Sequence, residues 1–518
     1  MPVVTINGHE YTVPDGSSLL NAVRWAGANV PTLCYREGYE HVTSCMVCVV
    51  AERTSDTMLP ACSAPAEDGM VIETDAEDVR DARRTALELL LSTHAGDCEA
   101  PCRRACPAGM NIPRMIRQLR KQQWNEALAT VLEHIALPGV LGWICPAPCE
   151  RACRRGRYDE PVAICLLKRF SALADVKAVA ASPGPPLKNA APVAVVGAGP
   201  AGLSAAYYLA RQGLECTVYD RCSHPGGNLQ QAVQAGDLPQ VVLDRDVERI
   251  RTAGVELRMN CTVGVDIRWE DILARCSALV LACGKIGSSI VPDLPGGIEV
   301  EDDKVAADAK TLRTANPRVF AGGNLVRPRN QMAVRAAADG RRLALGIAQL
   351  VRGEEVSGPR RGFDSRLRDL SVFDALAASG LSVESAQRAA LEAESAEAAV
   401  RESERCLHCD CRKSTACKLR DYADEYNASQ RHFAGEEPPR ADRMRCAAGV
   451  VYEPGKCIKC GICVRVTEAA EEELGLTFIG RGFDLQVAVP FDESLEKGLK
   501  RAAHACVDAC PTGALAFE

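Results

Sequence analysis

Hydrophobic and polar positions along this chain change period several times. Val3 to Ile6 and Glu10 to Val13 alternate apolar and polar residues, the pattern of a half-buried hairpin, and Ser18 to Ala26 follows with the spacing of an amphipathic helix. Helical periodicity returns over Ala82 to Leu91, Pro113 to Lys121 and Asn125 to His134. Residues 176–191, VKAVAASPGPPLKNAA, are small, Pro-rich and unpatterned, so they read as a linker. Next, VAVVGAGPAGLSAAYYLARQGLECTVYD predicts a strand from Val193 to Val196, a glycine turn, a helix from about Pro200 to Gln212, and a strand from Glu215 to Tyr219 that ends on Asp220. Residues 356–404 open as a charged connector and become Ala- and Glu-rich at helical intervals, the pattern of a helical spacer.

The turn in that central stretch is GxGxxG between strand and helix, and each glycine has a physical task. Gly197 allows the tight turn, Gly199 lets a pyrophosphate approach the backbone, and Gly202 lets helix pack on strand. The helix N-terminus, opened by Pro200 and Ala201, offers unpaired N–H groups to phosphates. Asp220, beside Arg221, is placed to accept from a ribose hydroxyl. These residues predict a dinucleotide site.

A chain of 518 residues with 47% hydrophobic content can bury several cores, which changes the picture from one domain to three or four. The net charge of -7, with no basic run, argues against nucleic acid as a partner. The opening MPVVTINGHEYTV lacks the regions of a signal peptide, and no stretch approaches the 18 apolar residues of a membrane helix. A cytoplasmic protein with no direct membrane insertion is expected.

The 26 cysteines change it most, because they are clumped at short spacings in a long chain, a ligand pattern for iron–sulfur clusters or zinc. Cys34, Cys45, Cys48 and Cys62 form the first group. His94, Cys98, Cys102 and Cys106 form a second, and Cys145, Cys149 and Cys153 a third. Cys406, Cys409, Cys411 and Cys417 have the compact spacing of a metal knot, for which a 4Fe-4S cluster is favoured over zinc, with His408 read as a loop histidine. Cys457, Cys460 and Cys463, with Cys510 of a distant CP, follow the bacterial-ferredoxin arithmetic for one 4Fe-4S cluster. Thr467 stands where a second cluster would need a further cysteine. Cys446 and Cys506 stay unassigned, and Cys216, Cys222, Cys261, Cys276 and Cys283 lack redox-pair spacing and read as structural.

Several of these motifs carry resemblances. PTLCYREG and SCMVCVV within residues 1–78 resemble the plant-type ferredoxin domain, a β-grasp, at the N-terminus of the complex I large iron–sulfur subunit and of related formate dehydrogenases and hydrogenases; this implies a 2Fe-2S cluster. STHAGDCEAPCRRACPAGMNIP and GWICPAPCERACRR, followed by the glycine strand, are similar to the glutamate synthase small subunit and the N-terminal region of dihydropyrimidine dehydrogenase. That resemblance implies a helical domain over residues 79–175 holding two 4Fe-4S clusters. Cys98, Cys102 and Cys153 would share one and Cys106, Cys145 and Cys149 the other, with His94 and Cys165 as the candidate fourth ligands. Lys168 stands where the family often has Gln or Glu.

The same family implies FAD in a Rossmann-like domain over residues 192–355. HPGGNLQ, with Gly226, Gly227 and Asn228, resembles its second glycine contact. VFAGGNLVRPRNQMAVRAAADGRRLALGI, with Gly323, Asn324 and Ala333, resembles its closing flavin motif, Asn324 replacing an acid. Only 34 residues, 285 to 318, lie between LACG and VFAGG, with no second GxGxxG, so the family's inserted NAD(P)H domain is expected to be missing. Residues 405–450 form a Cys-rich segment, and residues 451–518 resemble the 4Fe-4S region of the complex I large subunit.

The fold class expected is thus multidomain α+β and α/β: β-grasp ferredoxin, helical double-cluster domain, Rossmann-like FAD domain and C-terminal ferredoxin-like cluster domain. One 2Fe-2S cluster, three or four 4Fe-4S clusters and one FAD point to an oxidoreductase, an electron-transfer subunit in a hetero-oligomer. Its expected partners are redox subunits, an NADH-oxidising flavoprotein or a hydrogenase or formate dehydrogenase catalytic subunit. The alternatives are a self-sufficient NAD(P)H-dependent FAD oxidoreductase resembling the glutamate synthase small subunit, and a vestigial flavin fold that scaffolds clusters. No acid/base pair, triad or nucleophile emerges, so no catalytic residue is assigned.

Overall fold

A computed structural model describes residues 1–173, 190–285, 297–329, 332–360, 362–367, 387–390, 395–433 and 449–517, with a few isolated residues between. Most of the expected linker and of the expected spacer, and Cys446, lie outside the described residues. Among the described residues no helix is long and apolar enough to cross a membrane. The chain divides into two compact units. One comprises Met1–Ala100, Gly362–Val383 and Leu407–Glu518, and the other Pro101–Arg361 and Glu384–Cys406.

The first unit opens on a five-stranded sheet in the order His9–Thr12, Val3–Ile6, Val71–Glu73, Val49–Glu52, Thr57–Pro60. Val3–Ile6 runs parallel to Val71–Glu73 and every other neighbour is antiparallel. The helix Leu19–Trp25 begins after Ser18, whose hydroxyl accepts from the Asn21 N–H at 3.3 Å, so the expected first residue is the cap. It buries Leu19, Leu20, Ala22 and Val23 against Val4, Ile6 and Ile72, a grasp of helix by sheet. The helix expected from Ala82 starts at Glu77. Glu77 and Asp78 in its first turn suit the positive end of the dipole, a polar signal that apolar periodicity misses.

Later in the same unit Val450–Tyr452 pairs antiparallel with Leu515–Phe517, and the helices Ile462–Ala469 and Ala503–Ala509 pack beside them. Thr467 is buried and occupied within this fold, donating to the Val464 carbonyl at 2.8 Å and accepting from the Leu476 N–H at 3.1 Å.

The second unit begins with short helices, among them Pro101–Ala105, Ile112–Arg120, Trp124–Leu132, Pro138–Ile144, Pro148–Arg151 and Ile164–Ala172. Close packing explains Gly142: a Cβ there would meet the Cα of Arg169 at 2.8 Å. A parallel five-stranded sheet follows, in the order Val319–Ala321, Ala278–Leu281, Val193–Val196, Cys216–Tyr219, Glu256–Arg258. Apolar residues on both faces of Val193–Val196 make it a central strand, as its continuous run predicts.

The helical and sheet layers of this unit share one core. Leu128, Leu137 and Val140 pack with Val195, Leu203 and Val218, the Tyr208 hydroxyl donates to the Leu132 carbonyl at 3.1 Å, and the Val140 N–H donates to the buried Asp246 carboxylate at 2.9 Å. Between Leu281 and Val319 the described residues form one two-stranded hairpin, Val300–Glu301 with Lys304–Val305.

Candidate metal and dinucleotide sites

Cys34, Cys45, Cys48 and Cys62 come together at one end of the first sheet, each at most 4% exposed. Cys48 immediately precedes the strand Val49–Glu52, and Cys62 follows Thr57–Pro60, so two paired strands fix half of the set. The loop between them turns through left-handed backbone at Thr43 and Met46, with φ of 51° and 54°. Hydrogen bonds from Cys45 and Cys62 hold the Cys34 thiol far below its ordinary range, and one from Cys62 holds Cys48 at about 7. The same contact with Cys34 pushes Cys45 and Cys62 up. Four thiols competing for one another's protons are a set that thiolate-binding iron would relieve.

The C-terminal set lines a small cavity walled by Cys457, Cys460, Cys463, Cys510, Tyr452 and Thr512 among others. Lys459 and Gly461, at φ of 56° and 75°, bend the loop so that three cysteines point to one side before the helix Ile462–Ala469 begins. The Lys459 N–H donates to the Cys457 sulfur at 3.4 Å, and Cys510 sits 3.7 Å from the Thr512 hydroxyl. Burial pushes Cys460 up to about 12, with Cys510, Cys457 and Cys34 adding to it. Cys34 and Cys45 belong to the same apolar core as Cys460 and Cys463, so the first and last cysteine sets of the chain are neighbours. Cys506, fully buried, instead gives its S–H to the Cys463 carbonyl at 3.7 Å, a packing role.

In the second unit Cys102, Cys106, Cys145, Cys149, Cys153 and Cys406 border one core built from Ile112, Met115, Val131, Ile164 and Leu167. Cys165 hydrogen-bonds with Cys145, which pulls it down, and with Cys149, which together with burial carries it to about 11. Its N–H donates to Glu150 at 2.8 Å. Lys168, one turn on, is 3% exposed and reaches to 3.8 Å from the Cys165 sulfur. Burial disfavours its charge, but Cys165, Cys145, Cys149 and Cys106 outweigh that and hold the ammonium protonated. These four cysteines therefore all lie within electrostatic reach of Lys168.

Cys98 belongs to the first unit, and the Cys411 N–H donates to its carbonyl at 3.4 Å. Cys406 belongs to the second unit. A buried ion network, invisible to spacing arguments, sets Cys406 in place: Arg405 pairs with Glu402 at 2.8 Å and Asp159 at 3.1 Å, and Arg155 reaches Asp159 at 2.6 Å and the Arg405 carbonyl at 3.0 Å. Cys216 is buried within the sheet, and burial likewise pushes up Cys216, Cys222, Cys261, Cys276 and Cys283, the behaviour of inert thiols. Among the described residues no group of three His, Cys, Asp or Glu side chains is arranged to hold a single metal ion.

The dinucleotide turn is built as its glycines require. A Cβ on Gly197, at φ of 110°, would meet the Ala282 carbonyl oxygen at 2.4 Å, and one on Gly202 would meet the Gly197 oxygen at 1.8 Å. Beside Gly199 there is open space instead, a cradle at the N-terminus of Pro200–Arg211, which no side chain caps. Asp220 braces the turn: its carboxylate accepts from the Ala198 N–H at 2.6 Å and the Cys222 N–H at 2.8 Å. The Gly226 N–H donates to Ala198 at 2.8 Å, and Gly227 lies against Gly199, which brings Asn228 and Arg221 to the same turn region. Gly323 abuts Ala201, so Asn324 after the strand Val319–Ala321 joins the set, and Ala333 opens the helix Ala333–Val351. Sequence reasoning missed Asp339, 3% exposed, which accepts from the Gly323 N–H at 3.0 Å and pairs with Arg327 and Arg342. Its signal was an acid nearly two turns inside the Ala-rich helix Ala333–Val351.

Comparisons with known proteins agree with this layout. Residues 3–77 match a 2Fe-2S iron–sulfur cluster binding domain, residues 78–179 the dihydropyrimidine dehydrogenase domain II with its 4Fe-4S cluster, and residues 195–256 an NAD(P)-binding Rossmann-like domain. The chain is 37% identical over 212 residues to the NADP(+)-dependent formate dehydrogenase subunit beta of Moorella thermoacetica, covering 37% of this chain and 30% of that one. It is 34% identical to the NAD-dependent dihydropyrimidine dehydrogenase subunit PreT homolog of Salmonella typhi, covering 40% and 51%. With the glutamate synthase [NADPH] small chain of Mycobacterium tuberculosis it shares 37% identity, covering 40% and 42%. The chain therefore spans about half or less of the relatives it matches. It carries, in order, a 2Fe-2S domain, a 4Fe-4S domain of the dihydropyrimidine dehydrogenase type and a Rossmann-like dinucleotide domain, the kinship that its cysteine and glycine motifs imply.

Proposed function

We propose that this chain is an electron-transfer subunit of a multi-subunit cytoplasmic redox complex. It relays electrons between an NADH-oxidising flavoprotein subunit and a hydrogenase or formate dehydrogenase catalytic subunit. The cysteine sets fit one 2Fe-2S cluster and several 4Fe-4S clusters, which supply one-electron steps, and the glycine cradle fits FAD, which exchanges one or two. The residues named would do the rest: thiolates hold iron, backbone N–H groups and Lys168 stabilise charge on sulfur, and Asp220 and Asp339 shape the dinucleotide turn.

The single observation that supports a relay best is the packing of the Cys34 and Cys460 sets into one core, because electron transfer needs centres held at short, fixed separation. The test is anaerobic purification with iron, acid-labile sulfide and flavin counted per chain, and identification of the chains that copurify. A protein isolated alone, with full NAD(P)H dehydrogenase activity, overturns the proposal.

A second reading is favoured by the family match over residues 195–256, which is to NAD(P)-binding domains. On it, the chain takes electrons from NAD(P)H directly. Anaerobic stopped-flow mixing with NADH and with NADPH decides: flavin bleaching within the turnover time supports this reading, and an unbleached flavin supports the relay.

A further inference from the structure

We propose that His94, Cys98, Cys411 and Cys417 form one iron–sulfur site, whose ligands come from the two stretches of chain that flank the second unit. This rests on the reading of the chain as an iron–sulfur electron carrier.

The first unit is interrupted after Ala100, returns over Gly362–Val383, and resumes for good at Leu407. On the near side of the gap stands His-x3-Cys, His94 and Cys98, and on the far side Cys-x5-Cys, Cys411 and Cys417. Neither half can complete a four-ligand set. Folding reunites them: the Cys411 N–H donates to the Cys98 carbonyl at 3.4 Å, and Cys98, Cys411 and Cys417 are 8%, 7% and 7% exposed.

The surroundings suit a cluster. The Ser365 N–H donates to the Cys98 sulfur at 3.4 Å, the kind of bond that stabilises a charged thiolate on iron. Arg420, fixed by the Phe363 carbonyl at 2.7 Å, the Ser414 carbonyl at 2.8 Å and Glu99 at 3.2 Å, adds a nearby positive charge. His94 is held by the loop bond from the Ala95 N–H to the Gly455 carbonyl at 2.6 Å, and its buried Nδ1 has no hydrogen-bond partner among the described residues. A buried imidazole nitrogen left without a partner is unfavourable unless something absent from the polypeptide bonds to it.

Glycine supplies an independent sign of a sulfur held in a set position. A Cβ on Gly513 would lie 2.2 Å from the Cys411 sulfur. Gly513 is three residues past Cys510, so the site shares a wall with the C-terminal cavity, and Lys413 ties the two by donating to the Val507 and Cys510 carbonyls at 2.7 and 2.6 Å. The relay within this unit would then run through three sites, at Cys34, at Cys460 and at Cys98.

Iron and acid-labile sulfide are counted in the anaerobically prepared full chain and in Cys98→Ala, Cys411→Ala, the Cys98→Ala/Cys411→Ala double and the Cys98→Ala/Cys102→Ala double. Each single loses about four irons, the first double loses no more than either single, and the second loses about eight. The reverse pattern, with about eight lost by Cys98→Ala/Cys411→Ala and about four by Cys98→Ala/Cys102→Ala, overturns the proposal. Low-temperature paramagnetic resonance of His94→Cys gives a readout that does not depend on losing the cluster. One signal shifts while iron content is kept, and a spectrum identical to the parent's removes His94 from the set. A parent protein with no iron would overturn the electron-carrier reading instead.

Discussion

The Lys168 ammonium lies 3.8 Å from the Cys165 sulfur, and both groups are buried. A fixed positive charge this close to a thiolate favours whichever state of the adjoining centre carries more negative charge, which is the reduced one. Lys168→Met is therefore expected to lower the midpoint potential of one 4Fe-4S centre by about 60 mV or more, the one-electron equivalent of about 1.4 kcal/mol. Lys168→Arg should keep most of it. A potentiometric titration followed by paramagnetic resonance measures the shift, and equal potentials in parent and Met variant would contradict the assignment.

Asp339 is the acid that gathers the Gly323 N–H, Arg327 and Arg342 under the dinucleotide turn. Asp339→Ala removes the acceptor of the Gly323 N–H and of Arg327, while Arg342 keeps the Ala309 and Lys310 carbonyls. A stability loss of about 3 kcal/mol is expected, together with less flavin released per chain on denaturation. Thermal unfolding and fluorescence of the released flavin check the two effects separately.

Gly202→Ala should abolish dinucleotide binding while sparing iron, because its methyl group has no room against the Gly197 oxygen. Flavin content near zero with iron unchanged is the expected result. Normal flavin content would mean that the turn is not the binding site.

Two cysteines four residues apart should behave oppositely. Cys510→Ala opens the C-terminal cavity and is expected to remove about four irons. Cys506→Ala, losing only an S–H bond to the Cys463 carbonyl, should leave iron content as it was and cost about 1 kcal/mol.

Burial, with the Arg341 and Arg103 charges, holds His134 neutral down to about pH 3. In the unfolded chain a histidine takes up its proton near pH 6.5. Below that value the unfolded state binds the extra proton, so stability is full above about pH 6.5 and falls as pH drops toward 3, by at most about 1.4 kcal/mol per pH unit from this group. Melting temperatures of the parent and of His134→Gln at pH 7.0, 6.0 and 5.5 should converge as the pH is lowered.

The glycine fingerprint and the first and last cysteine groups were legible because their partners are close in sequence or follow fixed arithmetic. Gly197, Gly199 and Gly202 need only a strand and a helix on either side, and Cys457, Cys460 and Cys463 need only one loop. The surroundings of Cys98 and Cys406 were not legible, for the opposite reason. Each stands at a border where one compact unit interrupts another, and spacing along the chain carries no sign of which neighbour in space a residue will have. Asp220 illustrates a subtler gap. Its place after the second strand was foreseen, but its bonds to the Ala198 and Cys222 N–H groups depend on how the turn folds back, which no periodicity encodes.

Arg83 lies 1% exposed in the helix Glu77–Ser92, donating from Nε and Nη2 to the Val49 carbonyl at 3.1 and 2.8 Å and from Nη1 to the Tyr426 hydroxyl at 3.1 Å. Val49 directly follows Cys48, and Tyr426 caps the helix Lys418–Glu425 that directly follows Cys417. One guanidinium is thus a keystone between two thiol-bearing segments, and its planar fork resists both shear and stretch. Since tunnelling rates decay steeply with distance, such a brace would keep the pace of charge hopping steady while the surface around it breathes.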